Sequence, residues 1–587
     1  MASENSTVLA AGEIAAAKVG ESLAANETLT EKLATLPGIL WSNRDFFLLE
    51  GRIIFTAIAC IYIGSQAALH RPPSANPAKG KKDQKSRDED RERELVQGLL
   101  PSDAIILPIM AGMVLIGLYY LIKWLDDTEI LNKILKVYFS FISVAAMWKL
   151  ITDSLHCVTG FIFPTVWLGK NSTLYHIDPL KRGQWFVNGD SAEKIWDDKK
   201  KTPLPHRLSE LDVSDNTNSL LWGIRRLLTE YWTVRLSIYG ITNQKLKIRF
   251  HDIIGSVLAV LASAVYYVTE SNFISNFMGY SFSYAGIIVL SPTTFATGSA
   301  VLLGLFFYDI YMVFYTPYMV TVATKLDVPI KLVFEGPTKA SMLGLGDIVV
   351  PGIFVGLCLR FDLYMYYYRQ RRFVPVELKS EDVTSQIVTK TETQRMVVKP
   401  DYVSPQGQWG DWFWSTKFGK LTKDATPALE AAAFPKPYFH AALVGYLLAM
   451  VVTLVVLLVY RHAQPALLYL VPGIVFAAWT TGLFRGELRE MWGYTEDGSL
   501  DTVDTIVEVD GDGNIIGLVQ KKDDSKSDNK EDSKGDDKVD ANSSNKIDKN
   551  DGTEANKGDK LRKEENGSYS ILLFSIEVPA PSETSDP

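Results

Sequence analysis

About nine apolar runs of membrane-spanning length restrict this chain's fold more than any other feature. A bilayer core about 30 Å thick is crossed by roughly 20 apolar residues in a helix. The fifth run is the weakest, because Ser281, Ser283 and Tyr284 interrupt it. The pattern predicts an all-α polytopic membrane protein with about nine transmembrane helices. These helices are expected near residues 53–69, 104–122, 134–151, 253–269, 277–291, 299–318, 342–360, 439–460 and 465–484.

Long polar segments separate the runs and give the chain a predicted order of seven parts. They are a lumenal N-terminal segment (1–45), three helices with a cytosolic linker at 70–102 (46–151), a cytosolic insertion (152–252), helices four to seven (253–360), a second cytosolic insertion (361–437), helices eight and nine (438–484) and an acidic cytosolic tail (485–587). The first insertion contains Trp, Pro and apolar patches and is expected to be partly folded. Residues 521–567 lack the apolar side chains needed for a core, so most of the tail is predicted to be disordered.

Basic residues near the helix ends predict how the chain is oriented in the membrane. An N-terminus in the lumen places groups such as Lys247 and Arg372 on the cytosolic side, where positive charge accumulates. The C-terminus then lies in the cytosol. The sequons at Asn5 and Asn26 would face the lumen and are predicted N-glycosylation sites, whereas Asn171 would face the cytosol and stay unmodified.

Several functional classes find no support in the residues. The net charge is −8 and its acidic excess is spread over loops and tail, which predicts no nucleic-acid partner. The three cysteines have no partners at metal-ligand spacing, so no metal is expected. Residues 510–514 begin like a calcium loop, but Ile515 stands where the loop needs glycine and Lys521 where it needs glutamate. Their flanks, 505–509 and 515–519, predict a β-hairpin that turns at Asp-Gly.

Asp309 lies near the middle of the sixth apolar run, in an otherwise uncharged predicted helix. An ionised carboxylate there costs several kcal/mol unless it faces water or a partner. The sixth and seventh runs contain no Lys or Arg before Arg360, so a structural ion pair has no visible cation. The position of the acid therefore indicates a functional role.

A second acid, Asp347, follows Gly344 and Gly346 at the start of the seventh run. Glycines let backbones approach closely and permit unusual dihedral angles. If the two helices pack side by side, the carboxyls can meet. Two carboxyls about 3 Å apart cannot both ionise and therefore share a proton. In such a pair one carboxylate activates water, while its protonated partner polarises a scissile carbonyl.

Two further groups accompany the acids. Pro465-Ala466-Leu467 stands at the start of the ninth run, where proline is favoured and alanine permits close approach to a neighbour. Tyr308 adjoins Asp309 and can donate a hydrogen bond within the site. Pro317 is expected to bend the end of the sixth helix, which would open a path for water.

These groups together resemble the YD, GxGD and PAL motifs of the signal peptide peptidase and presenilin superfamily. Tyr308-Asp309, Gly344-Leu345-Gly346-Asp347 and Pro465-Ala466-Leu467 stand in the family's order, on its sixth, seventh and ninth helices. The flanks are similar to the signal peptide peptidase branch, because Leu468 stands where presenilins continue with proline. Tyr311-Met312 departs from the Phe-Trp that the family often has. The resemblance covers about 250–368 and 434–495.

The resemblance implies an intramembrane aspartyl protease of the endoplasmic reticulum membrane. It implies that Asp309 and Asp347 are catalytic and that Tyr308, Gly344, Gly346, Pro465, Ala466 and Leu467 support them. The expected substrates are transmembrane segments within the lipid bilayer, such as type II-oriented signal peptides. No metal or nucleotide cofactor is implied. Homo-oligomers or membrane-protein degradation factors are the implied partners.

Two alternatives remain at this point. Intramembrane aspartates also carry protons or cations in transporters and channels, often beside broken helices. An inverted repeat would favour a transporter, but the two acids stand on adjacent, dissimilar runs. The second alternative is an inactive relative that serves as a scaffold for degradation factors, against which the presence of both acids argues.

Overall fold

The structure is a computed structural model dominated by long helices, and the chain is described in fifteen ranges. These are residues 44–76, 97–125, 128–170, 172–187, 193–238, 242–326, 328–336, 340–375, 394–417, 419–422, 424–460, 464–496, 505–509, 515–518 and 572–577. The predicted sequons at Asn5 and Asn26, the calcium-like loop at 510–514 and the polar stretch 521–567 lie outside these ranges.

Nine of the described helices have 18 residues or more, which confirms the predicted multi-span helical architecture. They are α1 (Arg44–Ala67), α2 (Asp103–Trp124), α3 (Thr128–Ile162), α5 (Phe250–Thr269), α6 (Asn272–Val289), α7 (Phe295–Phe314), α9 (Gly346–Arg369), α12 (Pro437–Tyr460) and α13 (Leu467–Arg485). Eight of them are long and apolar enough to cross a membrane. The ninth, α6, is the run that the sequence marked as weakest.

Two helices differ from their predicted bounds for reasons visible in their contacts. Helix α3 continues to Ile162, eleven residues beyond the predicted end at 151, because its last turns pack against α5. There the side chain of Thr159 lies 2.7 Å from the ring Nε2 of His251. Helix α9 begins at Gly346 instead of 342 and runs to Arg369, so the second insertion also begins later than predicted.

Helix α9 forms the centre of the bundle. It packs against α1, α6, α7, α12 and α13. Its residues from Pro351 to Met365 are all buried, whereas other helices leave large apolar side chains such as Phe141 and Val268 exposed. This central place puts the charged residues Arg360 and Asp362 of α9 among protein partners, and the exposed apolar faces of the neighbouring helices suit lipid.

The connections between the long helices contain small β-sheets. Strands β2–β5 form a four-stranded antiparallel sheet in the first insertion, and β6 and β7 form a hairpin in the same insertion. Their alternating aromatic and β-branched residues favour strands, as in Tyr-Trp-Thr-Val-Arg-Leu-Ser-Ile of β6. The strands are β1 (Gln97–Leu99), β2 (Val166–Leu168), β3 (Leu174–Asp178), β4 (Gly183–Val187), β5 (Lys194–Trp196), β6 (Tyr231–Ile238), β7 (Thr242–Arg249) and β8 (Leu290–Pro292).

Strands in the second half of the chain bring distant segments together. The predicted hairpin at 505–519 is confirmed as β13 and β14, and it joins β11 and β12 of the second insertion in one sheet. Near the C-terminus, β15 pairs with β6, and it lies beyond the stretch 521–567 that was predicted to be disordered. These strands are β9 (Lys331–Glu335), β10 (Ala340–Gly344), β11 (Arg372–Pro375), β12 (Gln394–Val398), β13 (Thr505–Val509), β14 (Ile515–Leu518) and β15 (Leu572–Glu577).

Short helices complete the connections between these elements. They are a 3-10 helix (His206–Glu210), α4 (Asp215–Thr229), α8 (Tyr318–Lys325), α10 (Trp409–Ser415), α11 (Pro427–Ala432) and α14 (Leu488–Gly493). Helix α8 follows the end of α7 directly. The two are separated at Pro317, as the sequence predicted.

Candidate active site

Asp309 is buried on α7, with only 4% of its surface exposed. It stands five residues before the helix ends at Phe314, and therefore in the last third of the helix. The prediction that it lies near the middle was wrong, because α7 begins at Phe295, earlier than the apolar run indicated. The break at Pro317 follows closely, so the acid lies near a point where helical packing is interrupted.

The start of α13 points directly at Asp309. The backbone N–H of Leu467, the first residue of α13, donates to Asp309 Oδ2 at 3.1 Å. The next two N–H groups are already bonded, that of Leu468 to the Pro465 carbonyl and that of Tyr469 to the Ala466 carbonyl. The first turn of a helix leaves N–H groups without helical partners, and its dipole stabilises negative charge. The Pro465-Ala466-Leu467 segment thus supplies Asp309 with a main-chain donor.

Asp347 lies in the first turn of α9, directly after the hairpin of β9 and β10. Gly344 ends β10, and a Cβ at that position would lie 3.4 Å from Asp347 Oδ2. A side chain there would cover the carboxylate. A Cβ on Gly346 would meet nothing within 4 Å, and neither glycine has a positive φ. Neither glycine therefore uses the positive φ that glycine permits, and of the two only Gly344 lies next to the Asp347 carboxylate.

A tyrosine that the sequence analysis did not single out supports the backbone of Asp347. Pro351 has no N–H, so the carbonyl of Asp347, four residues earlier, has no partner within α9. The hydroxyl of Tyr446 on α12 donates to that carbonyl at 3.3 Å, and the Tyr446 side chain is fully buried. A proline four residues after the acid was the available signal, but it does not reveal which side chain replaces the missing bond.

The two acids lie on neighbouring helices. Helices α7 and α9 are in contact, and Asp309 stands on the first and Asp347 on the second. Asp309 is held through α13 and Asp347 through α12, and these two helices pack closely on each other. A Cβ on Gly445 of α12 would lie 2.7 Å from the Gly473 carbonyl oxygen of α13. Asp347 is only partly buried, which leaves one side of the pair open.

Tyr308 lies beside this arrangement and faces elsewhere. Its ring packs towards α2, where a Cβ on Gly112 would approach the ring to 3.7 Å. Among the described residues its hydroxyl makes no hydrogen bond to either aspartate. The sequence indicated that Tyr308 can donate a hydrogen bond within the site, and in the structure its ring packs towards α2.

The nearest basic residue along α9 is engaged at the other end of the helix. Arg360 Nε donates to Glu496 Oε1 at 2.6 Å, and its Nη2 donates to Ser291 Oγ at 2.8 Å. Thirteen residues separate Arg360 from Asp347, or about 20 Å of helix at about 1.5 Å per residue. Within the described part of the chain, no Lys or Arg forms a salt bridge with Asp309 or Asp347.

The second acid on α9, Asp362, is buried and has a structural role. The backbone N–H groups of Tyr438 and Phe439 donate to its carboxylate at 3.3 and 2.9 Å. These N–H groups belong to the first turn of α12, so Asp362 caps that helix from outside. The roles of the two acids on α9 are therefore distinguished by their hydrogen-bond partners, because the Asp362 carboxylate caps α12.

Comparison with known proteins points in one direction. A family model described as "Signal peptide peptidase" matches residues 91–498. The chain is 35% identical over 245 residues to "Intramembrane protease 2" of Caenorhabditis elegans, covering 40% of this chain and 41% of that protein. It is 25% identical over 419 residues to human "Signal peptide peptidase", covering 70% of this chain and 77% of that protein.

A third relative extends the comparison to fungi. The chain is 30% identical over 280 residues to a probable intramembrane protease of Schizosaccharomyces pombe, covering 47% of this chain and 75% of that protein. No solved structure matches the chain.

Proposed function

The chain belongs to the signal peptide peptidase family of intramembrane proteases, and we propose that it is an aspartyl protease whose catalytic pair is Asp309 and Asp347. One observation carries the proposal. The Leu467 N–H donates to Asp309, and so joins the PAL segment to α7, which packs against the helix of Asp347. The three segments are far apart in the sequence but lie on helices that contact one another, which supports the proposed pair.

In the proposed mechanism the two carboxyls share one proton. The ionised member takes a proton from a water molecule, whose oxygen attacks the scissile carbonyl carbon. The protonated member donates to the carbonyl oxygen, and a tetrahedral intermediate forms. Collapse of this intermediate breaks the C–N bond, and the amine leaves with a proton from the pair. The Leu467 N–H and Tyr446 hold the two acids in place throughout.

The proposed substrates are transmembrane segments, among them type II-oriented signal peptides. A helical segment has its carbonyls hydrogen-bonded within the helix, so it must unwind locally before water can attack. We propose that the protein resides in the endoplasmic reticulum membrane with a lumenal N-terminus, a cytosolic C-terminus and glycans on Asn5 and Asn26. Homo-oligomers and membrane-protein degradation factors are the proposed partners.

The experiment is cleavage of a type II signal-peptide reporter by purified protein in liposomes. Wild type is expected to cleave, while Asp309→Ala and Asp347→Ala are expected to lose about 100-fold or more of the rate. Asp362→Asn is the matched control, because it changes the other acid on α9 and keeps one acceptor oxygen for the N–H groups at the start of α12. Cleavage at the wild-type rate by either alanine variant contradicts the proposal. An ion gradient that the protein dissipates without any cleavage would support a transporter instead.

A further inference from the structure

Asn276, a polar residue of α6, bonds a β-strand through its side chain in the way that a neighbouring strand would through its backbone. Asn276 Nδ2 donates to the Val333 carbonyl at 2.7 Å, and the Val333 N–H donates to Asn276 Oδ1 at 2.8 Å. Val333 is the middle residue of β9. Because one partner is a donor and the other an acceptor, the two bonds together determine which end of the amide carries the oxygen. A single side chain thus satisfies both main-chain groups of Val333.

The strand register explains why Val333 needs such a partner. In the antiparallel pair of β9 and β10, Val333 stands opposite Met342. Residues of an antiparallel strand alternate between pointing their N–H and C=O at the partner strand and pointing them away from it. The N–H and C=O of Val333 point away from β10 and towards α6. The Asn276 amide therefore occupies the place that a third strand would take at the outer edge of β9.

One turn further along α6, Gly279 leaves room for the same hairpin to pack against the helix. A Cβ on Gly279 would come within 2.6 Å of Leu332 Cδ2 and 3.3 Å of Leu345 Cδ2. Leu332 is fully buried. Asn276 and Gly279 lie three residues apart and therefore on one face of the helix. On this face Asn276 bonds both main-chain groups of Val333, and Gly279 leaves the space into which Leu332 packs.

The hairpin held in this way leads directly into the acid. Strand β10 ends at Gly344, the Leu345 N–H donates to the Ile330 carbonyl at 3.1 Å, and α9 begins at Gly346. Only two residues therefore separate the end of the hairpin from Asp347. A displacement of β9 and β10 against α6 would move the first turn of α9.

We propose that Asn276 is a positioning residue of the protease, whose amide holds the hairpin on α6 and thereby sets the place of Asp347. The inference rests on the proposed function of Asp347. A misplacement of about 1 Å at a reacting group can cost on the order of 100-fold in rate. The expected signature is therefore a loss of kcat with little change of KM, because the substrate contacts remain.

The test compares Asn276→Leu with Asn272→Leu in the full-length protein in liposomes. Leucine branches at Cγ as asparagine does, although it is larger, and it cannot make either bond to Val333. The control removes an amide from the same face one turn earlier. Asn272 donates to the side chain of Glu335 at the end of β9, and among the described residues it bonds no main-chain group of that strand. We expect Asn276→Leu to lower kcat about tenfold or more, with less than a threefold effect from Asn272→Leu. Hydrogen exchange of peptides covering residues 328–345 should accelerate only in Asn276→Leu.

A second variant addresses the case in which Asn276→Leu does not fold. Asn276→Asp keeps an acceptor for the Val333 N–H and loses only the donor to the carbonyl, so exchange should stay slower and kcat higher than in Asn276→Leu. Wild-type kcat in both Asn276 variants overturns the inference, and so does an equal loss in Asn272→Leu. If wild type cleaves nothing while exchange changes as expected, the proposed function has failed, and with it the catalytic meaning of the Asn276 contact.

Discussion

The hydroxyl of Tyr446 donates to the main-chain carbonyl of Asp347 at 3.3 Å and replaces the helical bond that Pro351 cannot make. An acid in the first turn of α9 is thereby tied to α12 through its backbone, which leaves its carboxyl free. A buried carbonyl without a partner costs about 1–3 kcal/mol, so this hydroxyl stabilises the one geometry in which the turn is satisfied.

Tyr446→Phe should lower the cleavage rate about tenfold, because the first turn of α9 loses its only tie to α12 through Asp347. The ring is retained, so packing of α12 should change little. Tyr438→Phe is the control, since it deletes a hydroxyl on the same helix that donates to Glu487 Oε2 at 2.8 Å. Reporter cleavage measures both variants, and equal rates for the two would argue against a special role for Tyr446.

Gly445→Ala should reduce both activity and thermal stability. The added methyl would lie 2.7 Å from the Gly473 carbonyl oxygen and 2.8 Å from Ala477 Cβ, so α12 and α13 must separate. These helices carry Tyr446 and Leu467, and separation would pull apart the supports of the two acids. Gly117→Ala on α2 meets nothing within 4 Å and should leave both properties unchanged. Melting temperature and cleavage rate are the readouts, and an unaffected Gly445→Ala would contradict the prediction.

The buried pair of Arg360 and Glu496 should make stability depend on pH. Burial alone would raise the pKa of Glu496, but Arg360 and His70, with hydrogen bonds from Ser291 and Arg360, hold it below its ordinary value. A depressed carboxyl pKa stabilises the folded protein above the unfolded pKa of about 4.3, and this contribution is lost as pH falls through the folded value.

The variant Glu496→Gln tests this dependence. It should cost about 3 kcal/mol at neutral pH, because it leaves Arg360 buried without its counter-charge. It should also flatten the decline of melting temperature at acidic pH. A melting temperature that falls as steeply with acid in Glu496→Gln as in wild type would show that another group is responsible.

Asp362 should be required for stability and dispensable for chemistry. Asp362→Ala removes the acceptor for the N–H groups of Tyr438 and Phe439 and should lower the free energy of unfolding by about 1–2 kcal/mol. Asp362→Asn should restore only part of this loss, because its amide keeps one acceptor oxygen for two N–H donors. Thermal melting distinguishes the variants. If Asp362→Ala and Asp362→Asn both melted at the wild-type temperature, the cap would contribute nothing to stability.

Apolar length predicted the membrane helices well, because crossing a bilayer demands it regardless of what surrounds each helix. Helix ends were predicted less well. The last turns of α3 are polar enough to look like a loop, yet they remain helical because α5 and α10 pack on them. The hairpin of β9 and β10 was missed for a related reason. Its strands were assigned partly to the start of the seventh run, and their stabilising partner, Asn276, lies on another helix.

In the candidate site, too, features that depend on neighbouring residues in the sequence were predicted, and contacts with distant residues were missed. Asp309, Asp347 and the Pro465-Ala466-Leu467 segment were identified from their residue types and order, and their catalytic roles stay predictions. Tyr446 was missed because it stands 99 residues after the acid whose backbone it supports. The direction of the Tyr308 ring could not be read from its adjacency to Asp309, because successive residues of a helix point to different faces.

The most direct test of the central claim is binding of a hydroxyl-bearing peptide isostere that mimics the tetrahedral intermediate. Such a hydroxyl needs both carboxyls, one charged and one protonated, so it reports on the pair without requiring turnover. Wild type and Asp362→Asn should bind the isostere with equal affinity, whereas Asp309→Asn and Asp347→Asn should each lose about 100-fold. Wild-type affinity in either of these two variants, at an unchanged melting temperature, would contradict the claim that Asp309 and Asp347 act together.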